Sequence, residues 1–294
     1  MRTARTIKIA ALNIAMHAPH SPQLYMDLFR DAKRMKSLVE LGSLHAAILG
    51  SLTGPKDYVK DVVLTGEVFR FVRLDANQPW FNTQTSDTAS NDDLSEVNIP
   101  PHLLPHLQRI EFVFKPSIHQ LWFVSQDRQV RMGAKAMETF FQLIFDKVFQ
   151  AKKASEVEVT ALPDVETLDR MLRIPKMDKL TIHLKRPNPD DFHNIEKKVL
   201  EKLDSQNLHK QEIVLFAKAG ETIKPDEDTL AQARVAASNG HVSVVGRDAS
   251  GMKVEESTDK RPFQMLARVN SAVETCMDVL VRVIHAIPPN TRNN

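Results

Sequence analysis

Residues 6–17 read Thr6-Ile7-Lys8-Ile9-Ala10-Ala11-Leu12-Asn13-Ile14-Ala15-Met16-His17. Apolar side chains alternate through Ile7 and Ile9, then again through Leu12, Ile14 and Met16. A period of two marks a strand, and the change of phase predicts a slip or bulge near Ala10–Ala11. Lys8 and Asn13 interrupt the apolar run, and no small-residue cleavage site follows it. The stretch therefore reads as a strand and not as an export signal. Ser21-Pro22 comes next, a hydroxyl cap with proline at the first helical position, and it opens a helix. Tyr25, Leu28, Phe29, Ala32, Met35 and Val39 share one face of that helix. Arg30, Lys33, Arg34 and Lys36 form its solvated side.

The same rhythm continues outward. Leu44–Leu52 and Val62–Leu74 read as strands separated by the turn residues Gly54-Pro55-Lys56-Asp57. Asn77 to Pro105 is a long polar insertion, with Trp80-Phe81 expected to anchor its root and 83–100 expected to be mobile. Arg109–Lys115 and His119–Gln126 form a hairpin through Pro116-Ser117. Ala134–Gln150 is a helix whose apolar side carries Met137, Phe140, Phe141, Ile144, Phe145 and Val148, the stripe of a helix that covers a sheet. Glu156–Leu162 is a short strand, Asp164 caps a helix through Leu172, and Leu180–Leu184 is a strand. Asp190 or Asp191 caps a helix over Phe192–Leu203. Ile213–Ala217 is a strand, Asp226 or Asp228 starts a helix ending at Asn239-Gly240, and His241–Val245 pairs with Met252–Glu255. A final helix is expected over Phe263–Ile287, stopped by Pro288-Pro289. Leu266, Val269, Val273, Cys276, Leu280, Val283 and Ile287 fall at heptad spacing along it, a stripe that either packs on its own domain or forms the interface between two copies of the chain. The fold class expected is α+β, with mixed and antiparallel sheets, packed helices and a long apolar C-terminal helix. Two regions are expected, 1–153 and 154–294.

Composition narrows the function mainly by exclusion. Lys plus Arg number 39 against 37 for Asp plus Glu, a net charge of +2, so the chain as a whole does not seek polyanions. One cysteine, Cys276, excludes a disulfide framework and a Cys-rich zinc site. Gly246 and Gly251 have phosphate-loop spacing, but Met252 stands where lysine is needed, and no GxGxxG occurs. No run of about 18 apolar residues exists, so no membrane span and a cytoplasmic location are expected.

Site chemistry is equally sparse. His17 and His20 flank Pro19, His102 and His106 lie among Pro101 and Pro105, and there is no HExxH; neither pair reads as a ligand set. A metal nuclease needs paired acids followed by lysine. Pro163-Asp164 supplies the first acid, but His183-Leu184-Lys185 has histidine in the second position. Asp190 with Glu196 and Lys198 has the letters within one helix start. No GxSxG elbow exists, and Cys276 lies where a packed thiol is expected. No catalytic residue, metal or cofactor is expected. Cations do cluster: Arg128, Arg131, Lys135, Lys147, Lys152 and Lys153 face only Glu138 and Asp146 over that stretch, with Lys185 and Arg186 further on. Clustered cations of this kind bind nucleic-acid backbone without reading sequence.

Several motifs together resemble a known family. They are Lys8–Leu12 with Asn13-Ile14, Ser21-Pro22 with Leu24-Tyr25, Gly66-Glu67-Val68-Phe69-Arg70-Phe71, Pro79-Trp80-Phe81-Asn82 and Ile99-Pro100. Lys179-Leu180-Thr181-Ile182 and Arg186-Pro187-Asn188-Pro189-Asp190-Asp191 complete the set. The family is bacterial and defined only as a numbered domain of unknown function, so it brings no catalytic residues. Segment order and the stretches Lys179–Lys185 and Ile213–Lys218 also resemble the RexA-type phage-exclusion proteins. That likeness implies an α+β dimer that binds DNA without strong sequence preference. The expectation is a non-enzymatic homodimer of bacterial or prophage origin, acting in phage defence on DNA or on a phage or host protein. The alternatives are a metal-dependent nuclease or hydrolase and a pure protein-interaction module.

Overall fold

The computed structural model describes residues 4–17, 19–73, 78–95, 97, 99–100, 102–153, 155–187 and 194–287. The expected caps Asp190 and Asp191, the helix start at Phe192 and the stop at Pro288-Pro289 lie outside them. Along the first half run β1 (Arg5–Met16), α1 (Pro22–Met35), β2 (Val39–Leu41), β3 (His45–Thr53), β4 (Leu64–Val72), β5 (Phe81–Asn82), β6 (Asp87–Thr88), α2 (Asn91–Ser95), β7 (Gln108–Lys115), β8 (Gln120–Asp127), β9 (Val130–Arg131) and α3 (Ala134–Lys152). The second half contains β10 (Val157–Ala161), α4 (Val165–Leu172), β11 (Lys176–Lys185), α5 (Asn194–Ser205), β12 (Lys210–Phe216), α6 (Glu227–Ser238), β13 (Gly240–Arg247), β14 (Lys253–Ser257), β15 (Met265–Val269) and α7 (Cys276–Ala286). The class is α+β, with antiparallel pairing throughout the described ladders.

β1 decides the arrangement because both its faces and both its edges are occupied. One edge pairs with β8; the other is shared by β15, along Arg5–Ile9, and β10, along Leu12–Met16. The sheet runs β10-β1-β8-β7-β4-β3-β2, with β15 on β1 and β9 on β8. The bulge lies between Lys8 and Ile9, not at Ala10–Ala11. The extra residue is on the partner strand: Ser125 is skipped, and its hydroxyl donates to the Lys8 carbonyl. Even-numbered β1 residues Leu12, Ile14 and Met16 join α1 and α3 in an aromatic core. Phe29 stacks on Phe114 at 4.6 Å, and Phe112 meets Phe141 edge-on at 5.5 Å. Each fully buried phenylalanine contributes roughly 1.5–3 kcal/mol of apolar burial. The odd-numbered Ile7, Ile9 and Ala11 face the opposite side and pack under α7.

A second antiparallel sheet, β12-β11-β13-β14, is inserted between β10 and β15. Its own core takes Leu180, Ile182 and Leu184 from β11 with Val199 and Leu203 of α5 and Ala233 and Ala236 of α6. Entry and exit lie side by side, at an antiparallel bridge between Pro163 and Pro262. Because β10, β15 and α7 all belong with the first sheet, position 153/154 does not separate the two sheets.

The long C-terminal helix is not present. Its expected span divides into β15 and α7, separated by a turn at Asn270–Glu274. The five residues of β15 alternate with the period of a strand, Met265, Ala267 and Val269 inward and Leu266 and Arg268 outward, and the open half of β1's edge gives them a partner. Thr275 then caps α7 in a reciprocal capping box with Asp278. Val39 likewise belongs to β2, since α1 ends at Met35 with Lys36 in the left-handed conformation. Of the expected anchor pair, Phe81 is 67 % exposed and Trp80 is part-buried. Residues 83–100 contain β6 and α2. Among the described residues no helix is long and apolar enough to cross a membrane.

Gly66 in β4 explains one quoted motif. A Cβ there would lie 2.5 Å from the Phe112 ring and 2.6 Å from the Ser51 carbonyl oxygen. Gly66→Ala is expected to lower the unfolding free energy by about 1–3 kcal/mol in urea titration. An unchanged midpoint would show that the two neighbouring strands yield at no cost.

Candidate metal centre at the junction of the two sheets

β10 reads Val-Glu-Val-Thr-Ala, preceded by Glu156. Val157 and Val159 enter the aromatic core, so Glu156, Glu158 and Thr160 point to the other face. On β1 the same face carries Asn13, Ala15 and His17, opposite Thr160 and Glu158 in register. The odd face of β1 thus changes from apolar under α7 to polar where the inserted sheet docks. Asn13, 1 % exposed, donates from Nδ2 to Asn239 Oδ1 at 2.9 Å across that junction. The Lys185 amide donates to the Asn239 carbonyl at 2.7 Å.

His17 leaves β1 with its amide donating to the Glu156 carbonyl at 2.8 Å, which sets the two side chains next to each other. His209, at the entry to β12, reaches them from the inserted sheet. Its ring lies 5.2 Å from that of His17, centroid to centroid. His209 Nδ1 is 3.6 Å from Glu156 Oε2, and its Nε2 is 3.3 Å from Glu158 Oε1. One ligand atom from each of His17, Glu156 and His209 falls within 4.8 Å of the others. Ligands on a tetrahedral zinc at ~2.1 Å sit about 3.4 Å apart, so the trio would close by up to about 1.4 Å to hold an ion. The Nε2 atom of His17 is buried without a hydrogen-bond partner. Burial, reinforced by His209, lowers the His17 pKa and keeps the ring in the neutral form that ligates metal.

Glu158 also accepts from Lys185 Nζ at 2.5 Å, and Arg186 is paired with Asp204. Asp146 lies near both glutamates and Lys185; burial raises its pKa, against the hydrogen bond from Gln142.

Sequence reasoning set His17 aside because it weighed only the neighbouring His20. Its partners lie in β10 and the α5–β12 turn. The legible signal was the alternation of acids in Glu156-Val157-Glu158, with polar residues in phase on the last half of β1.

The expected cations do not converge. Lys135 pairs with Glu138, Lys152 with Asp31, and Lys147 donates to the Leu38 carbonyl. Arg128 and Arg131 precede α3 and Lys153 follows it, so the helix length of roughly 28 Å separates them. Lys185 and Arg186 alone adjoin the histidine–glutamate cluster. The expected dimer seam divides as well. Val269, Cys276 and Leu280 are buried in the chain's own core, Val283 and Ile287 pack partly against it, and Leu266 and Val273 are exposed.

A cleft of about 450 Å³ opens where β1 begins, lined by Arg5, Glu67, Arg109, Glu111, Asp127 and Cys276 among others. Arg5 Nε donates to Asp127 at 3.0 Å and Nη2 to the Cys276 sulfur at 3.1 Å. Glu67 and Glu111 are direct cross-strand partners, and burial first, then Glu67, raises the Glu111 pKa. Burial, with Asp127 adding to it, pushes the Cys276 thiol up to about 11. A thiol at that value is unionised near neutrality and is not a nucleophile. Cys276 is therefore expected to resist iodoacetamide in the native protein and to react once denatured, as mass spectrometry would read. Rapid native alkylation at neutral pH would contradict the packing.

His183 stacks on its cross-strand partner His241 at 4.1 Å. Burial first, then His183, lowers the His241 pKa below its ordinary 6.5. The folded state thus binds fewer protons than the unfolded chain just below that value. This contribution to stability is complete above 6.5 and lost as pH falls through 6.5 to the folded value. Urea midpoints are expected to drop between about pH 7.5 and 5.5, less so in His241→Gln. An equal drop in the variant would assign the effect elsewhere.

A family model described as Domain of unknown function (DUF4747) matches residues 5–285, and the chain belongs to that family. No curated protein matches.

Proposed function

We propose that this member of the DUF4747 family is a metal-dependent hydrolase whose centre is His17, Glu156 and His209. The observation that carries the reading is that one ligand atom each of His17, Glu156 and His209 lie within 4.8 Å of one another, beside a His17 ring whose Nε2 is buried without a hydrogen-bond partner. A buried polar atom without a partner is costly, and a cation satisfies it. Two imidazoles and one carboxylate suit zinc, and a three-ligand set leaves a coordination position for water. On an ion, water loses its proton near neutral pH and becomes a nucleophile. The two nitrogens of His209 divide the labour. Nδ1, 3.6 Å from Glu156, would be the ligating atom, and Nε2 lies 3.3 Å from Glu158, which Lys185 holds in turn. That is the usual support for a ligating histidine.

Calorimetry with zinc is expected to give one ion per chain. His17→Ala and His209→Ala should each weaken binding by at least about tenfold, with far-UV dichroism unchanged. Cobalt substitution should give the visible absorption of a tetrahedral site. Absence of binding, or variants that bind like the wild type, would overturn the reading.

A further inference from the structure

The cleft at the start of β1 is built on the face of the first sheet that carries α7. Val113 of β7 packs under that helix, and Glu111 and Arg109 continue the same face beyond it. Glu67 of β4 stands directly opposite Glu111, and Phe69 opposite Arg109. Arg128 reaches the cleft from the β8–β9 turn. The remaining wall is largely apolar, with Val124, Val130 and the unionised Cys276 thiol.

Several charges at the cleft are neutralised within the fold. Arg5 donates to Asp127 through Nε and Nη2, both at 3.0 Å. Glu274 accepts from the Asn270 amide and from Arg282. Asp278, whose charge also opposes that of Glu111, is held in the capping box of Thr275. Four charged side chains are left over. Among the described residues Glu111 and Arg128 have no hydrogen bond or ion pair. Glu67 accepts only from the Ser51 hydroxyl, at 2.9 Å, and Arg109 lies over the Phe69 ring at 5.4 Å.

These leftovers are two carboxylates and two guanidiniums. Like charges directly opposite on a ladder are destabilising, and Glu111 is half-buried as well. An ammonium group between them brings three N–H donors and the missing positive charge. Arg109 is two residues from Glu111, about 7 Å along the same strand face. Its planar fork, with that of Arg128, receives carboxylate oxygens. A metal ion on the glutamates leaves both arginines without an anion. A group carrying ammonium and carboxylate together satisfies all four side chains. The cleft volume of about 450 Å³ leaves room for an apolar side chain against the two valines.

We infer that this cleft binds a free α-amino acid with an apolar side chain, its ammonium between Glu67 and Glu111 and its carboxylate on Arg109 and Arg128. The site is independent of the metal centre: Arg5 and His17 mark opposite ends of β1, roughly 40 Å apart along the strand.

The test is calorimetric titration of the full chain with L-leucine, L-methionine and L-phenylalanine. At least one is expected to bind. Its amide, which lacks the carboxylate, and its N-acetyl derivative, which lacks the ammonium, should each bind at least about tenfold more weakly. Glu111→Gln should weaken the amino acid by a similar factor and leave the N-acetyl derivative unchanged. Arg109→Gln should weaken the amino acid and leave the amide unchanged. These crossed effects separate contact with the ligand from damage to the fold, which would weaken every ligand alike. Failure of all three amino acids to bind, derivatives that bind as tightly as the parent, or variants with wild-type affinity would overturn the inference.

Discussion

Every layer of the molecule depends on β1 being buried on both faces and paired on both edges. A strand buried on two faces cannot leave its N–H and C=O groups to water, so both ladders must be filled. β8 fills one from Lys8 to Asn13. The other is filled by two short strands from distant parts of the chain, β10 and β15, with the Ala11 carbonyl between them accepting from the Leu162 amide. That shared edge lets the chain leave the first sheet at Leu162, build a second sheet, and return at Phe263. The Phe263 amide donates back to the Leu162 carbonyl at 2.7 Å, closing the excursion.

The second sheet docks where β1 turns polar. Asn13 and Asn239 bury their amides against each other, an arrangement that contributes about 0.5–1.5 kcal/mol when complete and costs more when one partner is removed. Such a contact fixes a position more than it adds stability. It places the α5–β12 turn so that His209 arrives beside Glu156 and Glu158. The charged cluster is thus built from parts with different structural duties: a strand end, an alternating strand and a turn of the inserted layer.

Much of the fold was legible because short periodic segments carry their own evidence. Ser21-Pro22, the hairpin at Pro116-Ser117, the aromatic stripe of α3 and the stop at Asn239-Gly240 are local, and each element forms where its residues indicate. The C-terminal segment shows where local evidence fails. Leu266 and Val269 share a face at heptad spacing but fall on opposite faces of a strand, and the deciding fact is an unpaired edge far away in sequence. The better local clue was Thr275-x-x-Asp278, a helix start in the middle of the expected helix. The site was less legible for the same reason. Its ligands come from three separate elements, and a search by spacing finds only ligands that share one.

The cations illustrate how a linear charge count differs from a surface. Six of them between Arg128 and Lys153 look like one patch in the sequence, yet Glu138 pairs with Lys135, Asp31 on α1 pairs with Lys152, and the Leu38 carbonyl accepts from Lys147. Folding supplies those partners and spreads the rest along a helix. Lys185 and Arg186 are also paired, Arg186 with Asp204 and Lys185 with Glu158, a carboxylate that borders the His209 imidazole. A divalent ion held by the proposed centre would change the charge balance of that network. Charge that is silent in the sum over the chain becomes local and conditional once the sheets meet.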